Sequence, residues 1–197
     1  MKNRVFEATV LPLLAKPGTL SIVNYHRVFP KLDGMFPAEV YAERFTEHLL
    51  WLKSACNVLP LREANELRKS KRLPSRAVVI TFDDGYADNA EVALPLLQKA
   101  EVPATFFVCS AYLNGGRMWN DTVIDSLRQM HPDDIESLQQ IVPGVASLNL
   151  QQHVVGDGFD SAKVVGGVVQ SFKYLPAEKR TKAVDDFAHL VGFNERP

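Results

Sequence analysis

The sequence has no apolar run approaching the roughly 18 residues of a membrane-spanning helix. It has only two cysteines, Cys56 and Cys109, far apart in the chain. Cys109 sits in the apolar stretch "ATFFVC". Both read as buried thiols rather than as a disulfide, so nothing demands an oxidising compartment. Charge of one sign is also missing: 22 basic residues face 23 acidic ones, a net charge of -1. That balance argues against a nucleic-acid binder, which would show a basic excess or stripe. The runs "LRKSKR" (67–72) and "EKRTK" (178–182) are short and read as solvated surface. Internal repeats and low-complexity segments are absent. At the N-terminus, Lys2 and Arg4 precede a partly apolar stretch, but Glu7 and Pro12 interrupt it and no clear small-residue cleavage pattern follows. The expectation there is a short helix or arm rather than a signal peptide. The chain is expected to be cytoplasmic, with export left open.

What remains is ordinary globular material. The 197 residues are 46% hydrophobic and 23% charged, enough for one domain with a real core. "LSIVNYHRV" (20–28) reads as a buried strand with a polar tip, and "CNVLPL" (56–61) as a short strand. Between them, 37–55 has apolar residues at near-helical spacing, with Pro37 suited to the first turn. A polar helix is predicted over 62–72. "AVVITF" (77–82) is short, β-branched and continuously apolar, the pattern of a parallel strand covered on both faces. A helix over 86–100 follows, with Pro95 expected to kink or break it. "VPATFFVCS" (102–110) reads as a second buried strand. Strand, helix, strand is a βαβ unit. Beyond residue 111 the pattern is helical without a convincing strand. Helices are predicted over 119–130 (capped by Asn120 or Asp121), 132–142, the later part of 156–175, and 176–192. Gly166 and Gly167 weaken the third of these.

The run "AVVITF" leads straight into Asp83, Asp84 and Gly85. Strand C-termini face the active site in α/β sheets and barrels, and a glycine there lets the chain turn at once. Adjacent carboxylates repel, and one would tend to hold a proton. A divalent cation removes that conflict. One carboxylate can then ligate metal while the other serves as base for hydrolysis by a metal-bound water. The plainer reading, a simple Asp-Asp-Gly turn, is weakened because the pair follows a buried strand and opens a βα connection.

"TFDDGY" at 81–86, Asn89, "PLL" with "VPATFF" closing at 107, and "NYHRV" at 24–28 together resemble the polysaccharide deacetylase family of NodB-like carbohydrate esterases. The resemblance covers roughly residues 18–112, while "GGRMWND" and "FKYLPAEKR" resemble a helical insertion of some bacterial members. Glu101 departs from the glycine common before "VPATFF". The resemblance implies an α/β chain forming part of a distorted (β/α) barrel, with a mostly helical C-terminal insertion. The expected organisation is one partial domain over 1–197, with a β/α core at 18–112 and the insertion at 113–192. The implied reaction removes acetyl groups from N-acetylated sugars of a polysaccharide or oligosaccharide. Asp83 matches the catalytic base and Asp84 the metal-ligating aspartate; the implied cofactor is a divalent metal, zinc above all.

Three further residues have two readings each. His26 either lines the cavity or makes a structural hydrogen bond. Tyr86 either borders substrate or only follows the turn. Trp119 either stacks on a sugar face or fills the insertion core. The five histidines, His26, His48, His131, His153 and His189, include no two that are three to five residues apart. A metal hydrolase site generally needs three protein ligands and a water, so Asp84 has no histidine pair. The expectation is therefore the N-terminal part of a longer enzyme, with a half-built barrel and an open strand edge. The alternative is a catalytically inactive carbohydrate-binding or interaction module. A phosphoryl-transfer receiver domain is disfavoured, because "ATFFVCS" ends in Cys109 and Ser110 and no pattern of a further strand-end aspartate and lysine is visible.

Overall fold

The computed structural model describes residues 18–36 and 39–194. The expected N-terminal helix or arm, and Pro37, lie outside them. The chain divides into two compact units, residues 1–110 and 111–197.

In the first unit, β1 (Leu20–Tyr25), β4 (Asn57–Val58), β5 (Ala77–Phe82) and β6 (Thr105–Phe106) form one sheet. All pairings are parallel, and β5 is central. Every residue of β5 is buried, as its unbroken β-branched run requires. β1 runs its full length along one side of β5, from Leu20 opposite Ala77 to Tyr25 opposite Phe82. On the other side β4 pairs with the start of β5 and β6 with its end. The result is an open α/β sheet rather than a closed barrel among the described residues. On β1, Ile22 is 61% exposed.

Two stretches are shorter as strands than their composition suggests. The strand expected over 20–28 breaks after Tyr25, and Val28–Phe29 (β2) pairs instead with Val40–Tyr41 (β3). The strand expected over 102–110 is regular only at Thr105–Phe106; Phe107 and Val108 are about half exposed, at 50% and 55%. β-propensity there exceeds the partner strand available to satisfy it.

Helix α1 (Ala42–Ala55) buries Phe45, Leu49 and Leu52, a stripe at helical spacing. α2 (Leu61–Lys69) buries only Ala64. Before α3 (Leu94–Ala100) comes a wide turn over Asn89–Ala93, in which Leu94 N–H reaches back to Asn89 O. Pro95 explains it. A proline lacks an N–H and its ring crowds the carbonyl four residues earlier, and widening the preceding turn relieves both. The core beneath the sheet is aromatic: Tyr25 and Phe106 stack on Phe82 with centroids 5.4 and 4.8 Å away, and Phe45 meets Phe82 edge-on at 5.8 Å.

The second unit contains α4 (Trp119–Gln129), α5 (Ile135–Ile141), α6 (Ser161–Lys173) and α7 (Ala177–Leu190). Met118, not Asn120 or Asp121, holds the cap position of α4, and Asp121 is buried in its first turn. A two-stranded antiparallel hairpin, Val154–Val155 (β7) with Gly158–Phe159 (β8), corrects the expectation of a strand-free region. Gly167 has a packing reason to interrupt α6. A Cβ there would lie 2.8 Å from Leu148 Cδ2, so a larger residue would make the leucine tip shift.

Candidate active site at the end of strand β5

Asp83 follows β5 directly, and its N–H continues the ladder by donating to Tyr25 O at 2.9 Å. The chain then reverses. Gly85 N–H donates to Asp83 O at 3.0 Å, with Asp84 between them at φ 74. A left-handed residue at the centre of so tight a turn is strained, by about 1–3 kcal/mol. Aspartate tolerates this better than most residues. Gly85 is itself at φ 77, and a Cβ on it would fall 2.7 Å from Val108 Cγ1. The turn is also held from the β6 side: Phe107 N–H donates to Phe82 O at 2.7 Å and Cys109 N–H to Asp84 O at 3.1 Å.

The Asp83 carboxylate has a built partner. Asn24 Nδ2 donates to Asp83 Oδ2 at 3.0 Å, and Thr81 Oγ1 donates to Asn24 Oδ1 at 2.9 Å. Asn24 lies opposite Thr81 in the β1–β5 register, and Asp83 is two residues beyond Thr81. Side chains two apart share a strand face, so pairing alone groups the three. The bond is open to solvent, so water competes and its net contribution is about 0.5–1.5 kcal/mol.

A second polar cluster ties the loop after β1 to the loop after β5. Asp88, 8% exposed, accepts from Arg27 Nε at 2.8 Å and from Val28 N–H at 3.1 Å. Asn89, 4% exposed, donates from Nδ2 to His26 O at 2.9 Å and to Asp88 Oδ1 at 3.1 Å. The Arg27 guanidinium lies 4.4 Å from the centroids of both Phe29 and Tyr86 and 5.2 Å from that of Phe36. Burial pushes the Glu39 carboxyl up; the Arg27 backbone N–H and the charges of His26 and Arg27 oppose that rise.

The residues singled out in the sequence distribute as follows. Asp83 and Asp84 are half-buried at the strand end, and His26 is exposed at the end of β1. The His26 carbonyl is the Asn89 acceptor. Tyr86 has Arg27 on its ring. Trp119 belongs to the second unit, where the Arg180 guanidinium lies 5.0 Å from its ring centroid. His48 is bonded at Nδ1 to Tyr25 OH at 3.1 Å. Asn24, Thr81, Arg27 and Asp88 escaped the sequence reading. The usable signal for the first two was the period-two spacing of Thr81 and Asp83, once β1 pairs with β5.

Among the described residues no group of three or more His, Cys, Asp or Glu side chains could hold a metal ion. The donor set on hand therefore does not fit a three-ligand metal centre. The chemistry it does offer is that of an ionisable acceptor held in place at a strand end.

Residues 70–140 match the family model described as polysaccharide deacetylase. The chain is 35% identical over 95 residues to a putative polysaccharide deacetylase, YxkH, of Bacillus subtilis, covering 47% of this chain and 33% of that protein. Over these segments the chain is similar to polysaccharide deacetylases. It is also 28% identical over 175 residues to the poly-β-1,6-N-acetyl-D-glucosamine N-deacetylase of Staphylococcus aureus, covering 81% of this chain and 60% of that one. Among solved structures, IcaB from Ammonifex degensii matches with TM-score 0.44 and 26% identity, over 53% of this chain and 46% of that one. The chain spans about one third to three fifths of the length of these curated deacetylases.

Proposed function

We propose that this chain carries the aspartate half of a deacetylase site acting on an N-acetylated sugar polymer. The observation that carries the reading is Asp83. It is an acceptor fixed at the end of the central strand, inside the segment that matches the deacetylase family. Asp83 takes a proton from the water that attacks the acetyl carbonyl, and its second oxygen stays on Asn24. The substrate class is an acetylated hexosamine polymer or oligosaccharide, as named for the Staphylococcus aureus relative. Asp84 is proposed as a ligand to a divalent cation, zinc in the first instance. The spacing of the five histidines gives it no His-x-x-x-His companion, so no catalytic step is derived through the metal.

The test uses the purified chain with zinc or cobalt and β-1,6-linked N-acetylglucosamine oligomers, following acetate release. Slow release at best is expected, lost in Asp83→Asn. Robust turnover that Asp83→Asn abolishes would overturn the incomplete-site reading, and release indifferent to Asp83→Asn would remove Asp83 from the base role. A second reading, a non-catalytic carbohydrate-binding module, is favoured by the histidine spacing. Oligomer binding without acetate release under any metal would select it.

A further inference from the structure

We propose that Asn24 is the positioning residue of the Asp83 carboxylate, and that Thr81 sets which end of Asn24 faces it. The inference deepens the reading of Asp83 as proton acceptor and rests on it. Three observations combine. Asn24 Nδ2 is 3.0 Å from Asp83 Oδ2. Thr81 Oγ1 is 2.9 Å from Asn24 Oδ1. Thr81 is 5% exposed on the fully buried strand β5, where a β-branched side chain has little rotamer freedom.

The orientation of the Asn24 amide follows from chemistry. An ionised carboxylate only accepts, so the NH2 end must face Asp83. The carbonyl end then faces Thr81, whose hydroxyl donates. A Thr81 side chain without a hydroxyl would leave that carbonyl to solvent and the amide free to turn. A turned amide would set an oxygen against a carboxylate, which is repulsive.

The choice of a neutral donor also has a consequence. An arginine at position 24 would fix the carboxylate and also cancel its charge. An amide fixes one oxygen and leaves the charge. Oδ2 is held on the sheet, and Oδ1 is the oxygen left to take a proton. Positioning of this kind acts on the rate of the proton-transfer step more than on substrate binding.

The experiment reads the Asn24 side-chain NH2 pair in 15N–1H spectra of the labelled chain, assigned by its loss in Asn24→Ala. In Asp83→Asn the carboxylate acceptor is gone, and one proton of the pair should move from its wild-type position. In Thr81→Val the pair should collapse towards the position of a solvated asparagine, and Thr81→Ser should restore it. A general loss of structure would move backbone resonances across β1 and β5, whereas loss of the tether alone would not. A pair unchanged by Asp83→Asn, or unchanged by Thr81→Val, overturns the proposal. Acetate release is the second arm. Where the wild-type chain turns over, Asn24→Ala should lower kcat about tenfold or more with KM little changed. A wild-type chain without turnover is the outcome an incomplete site gives, and the spectra then decide the tether by themselves.

Discussion

Gly85→Ala isolates the strand-end turn with one methyl group. Gly85 sits at φ 77, where a Cβ costs about 1–2 kcal/mol. The new Cβ would also lie 2.7 Å from Val108 Cγ1 and 3.2 Å from Val108 Cα. The first atom can swing away, because Val108 is 55% exposed. The second is backbone, pinned through Phe107 N–H to Phe82 O and Cys109 N–H to Asp84 O, and it can give only by displacing the turn. Overpacking of this kind costs about 1–3 kcal/mol. Against both stands a gain of about 0.4–1 kcal/mol from the stiffer unfolded chain. The net is a loss of about 1–5 kcal/mol, a large share of the roughly 5–15 kcal/mol that holds a domain folded.

The two tryptophans, Trp51 and Trp119, lie one in each unit. In a Trp119→Phe background, Trp51 fluorescence therefore reports the first unit alone. Urea unfolding should show the midpoint of Gly85→Ala lowered by roughly 1–2 M, with the slope unchanged. Val108→Ala removes the 2.7 Å contact and should return about 1 kcal/mol in the double variant, the rest being backbone strain. A loss below about 0.5 kcal/mol, or no coupling to position 108, would refute the geometry drawn for this turn.

Other consequences follow from the buried polar groups. Burial holds the His48 imidazole below its ordinary value, so the stability it contributes is present above pH about 6.5 and is lost as the pH falls; His48→Gln should flatten the acid limb of a stability–pH curve. Burial pushes the Tyr25 hydroxyl up to about 12 from 10.0, so its contribution, roughly 2–3 kcal/mol, is lost as pH rises between those values; Tyr25→Phe should remove that alkaline loss in denaturant titrations. Asp88→Ala removes the acceptor of Arg27 Nε and of the Val28 N–H and should cost about 3–5 kcal/mol in the same unfolding assay, against under 1 kcal/mol for the exposed Lys69–Glu66 pair on α2.

The central strand was legible because a fully buried parallel strand needs an unbroken apolar run, and 77–82 is the clearest such run in the chain. Asp83 and Asp84 were legible for the same reason: their position at its end sets them apart from an ordinary Asp-Gly turn. Asn24 was not, since its meaning depends on register. Only with Asn24 opposite Thr81 does its amide reach Asp83. The overlong strand at 102–110 has the opposite cause. Local propensity there is genuine, but a strand needs a partner, and β5 pairs with it only through Thr81–Thr105 and Phe82–Phe106. Tyr86 shows a third limit. It is next to the acidic turn in sequence, yet its ring packs on Arg27, 59 positions earlier, a contact that no local pattern announces.

The placement of Arg27 bears on why two carboxylates can stand side by side here. The Arg27 guanidinium lies over the Tyr86 ring, its Nε donates to Asp88 at 2.8 Å, and Phe29 also meets it. The backbone around Asp83 and Asp84 is meanwhile secured through neutral contacts: Asp83 N–H to Tyr25 O, Cys109 N–H to Asp84 O, and the Asn24 amide on Asp83 Oδ2. These contacts hold the geometry of the pair through neutral groups. A structural ion pair would be built the other way, with a guanidinium on the carboxylates and no strain in the turn. Strain at Asp84 together with a neutral tether on Asp83 is what a site requires if its negative charge is to be met by a proton or a cation from outside the turn.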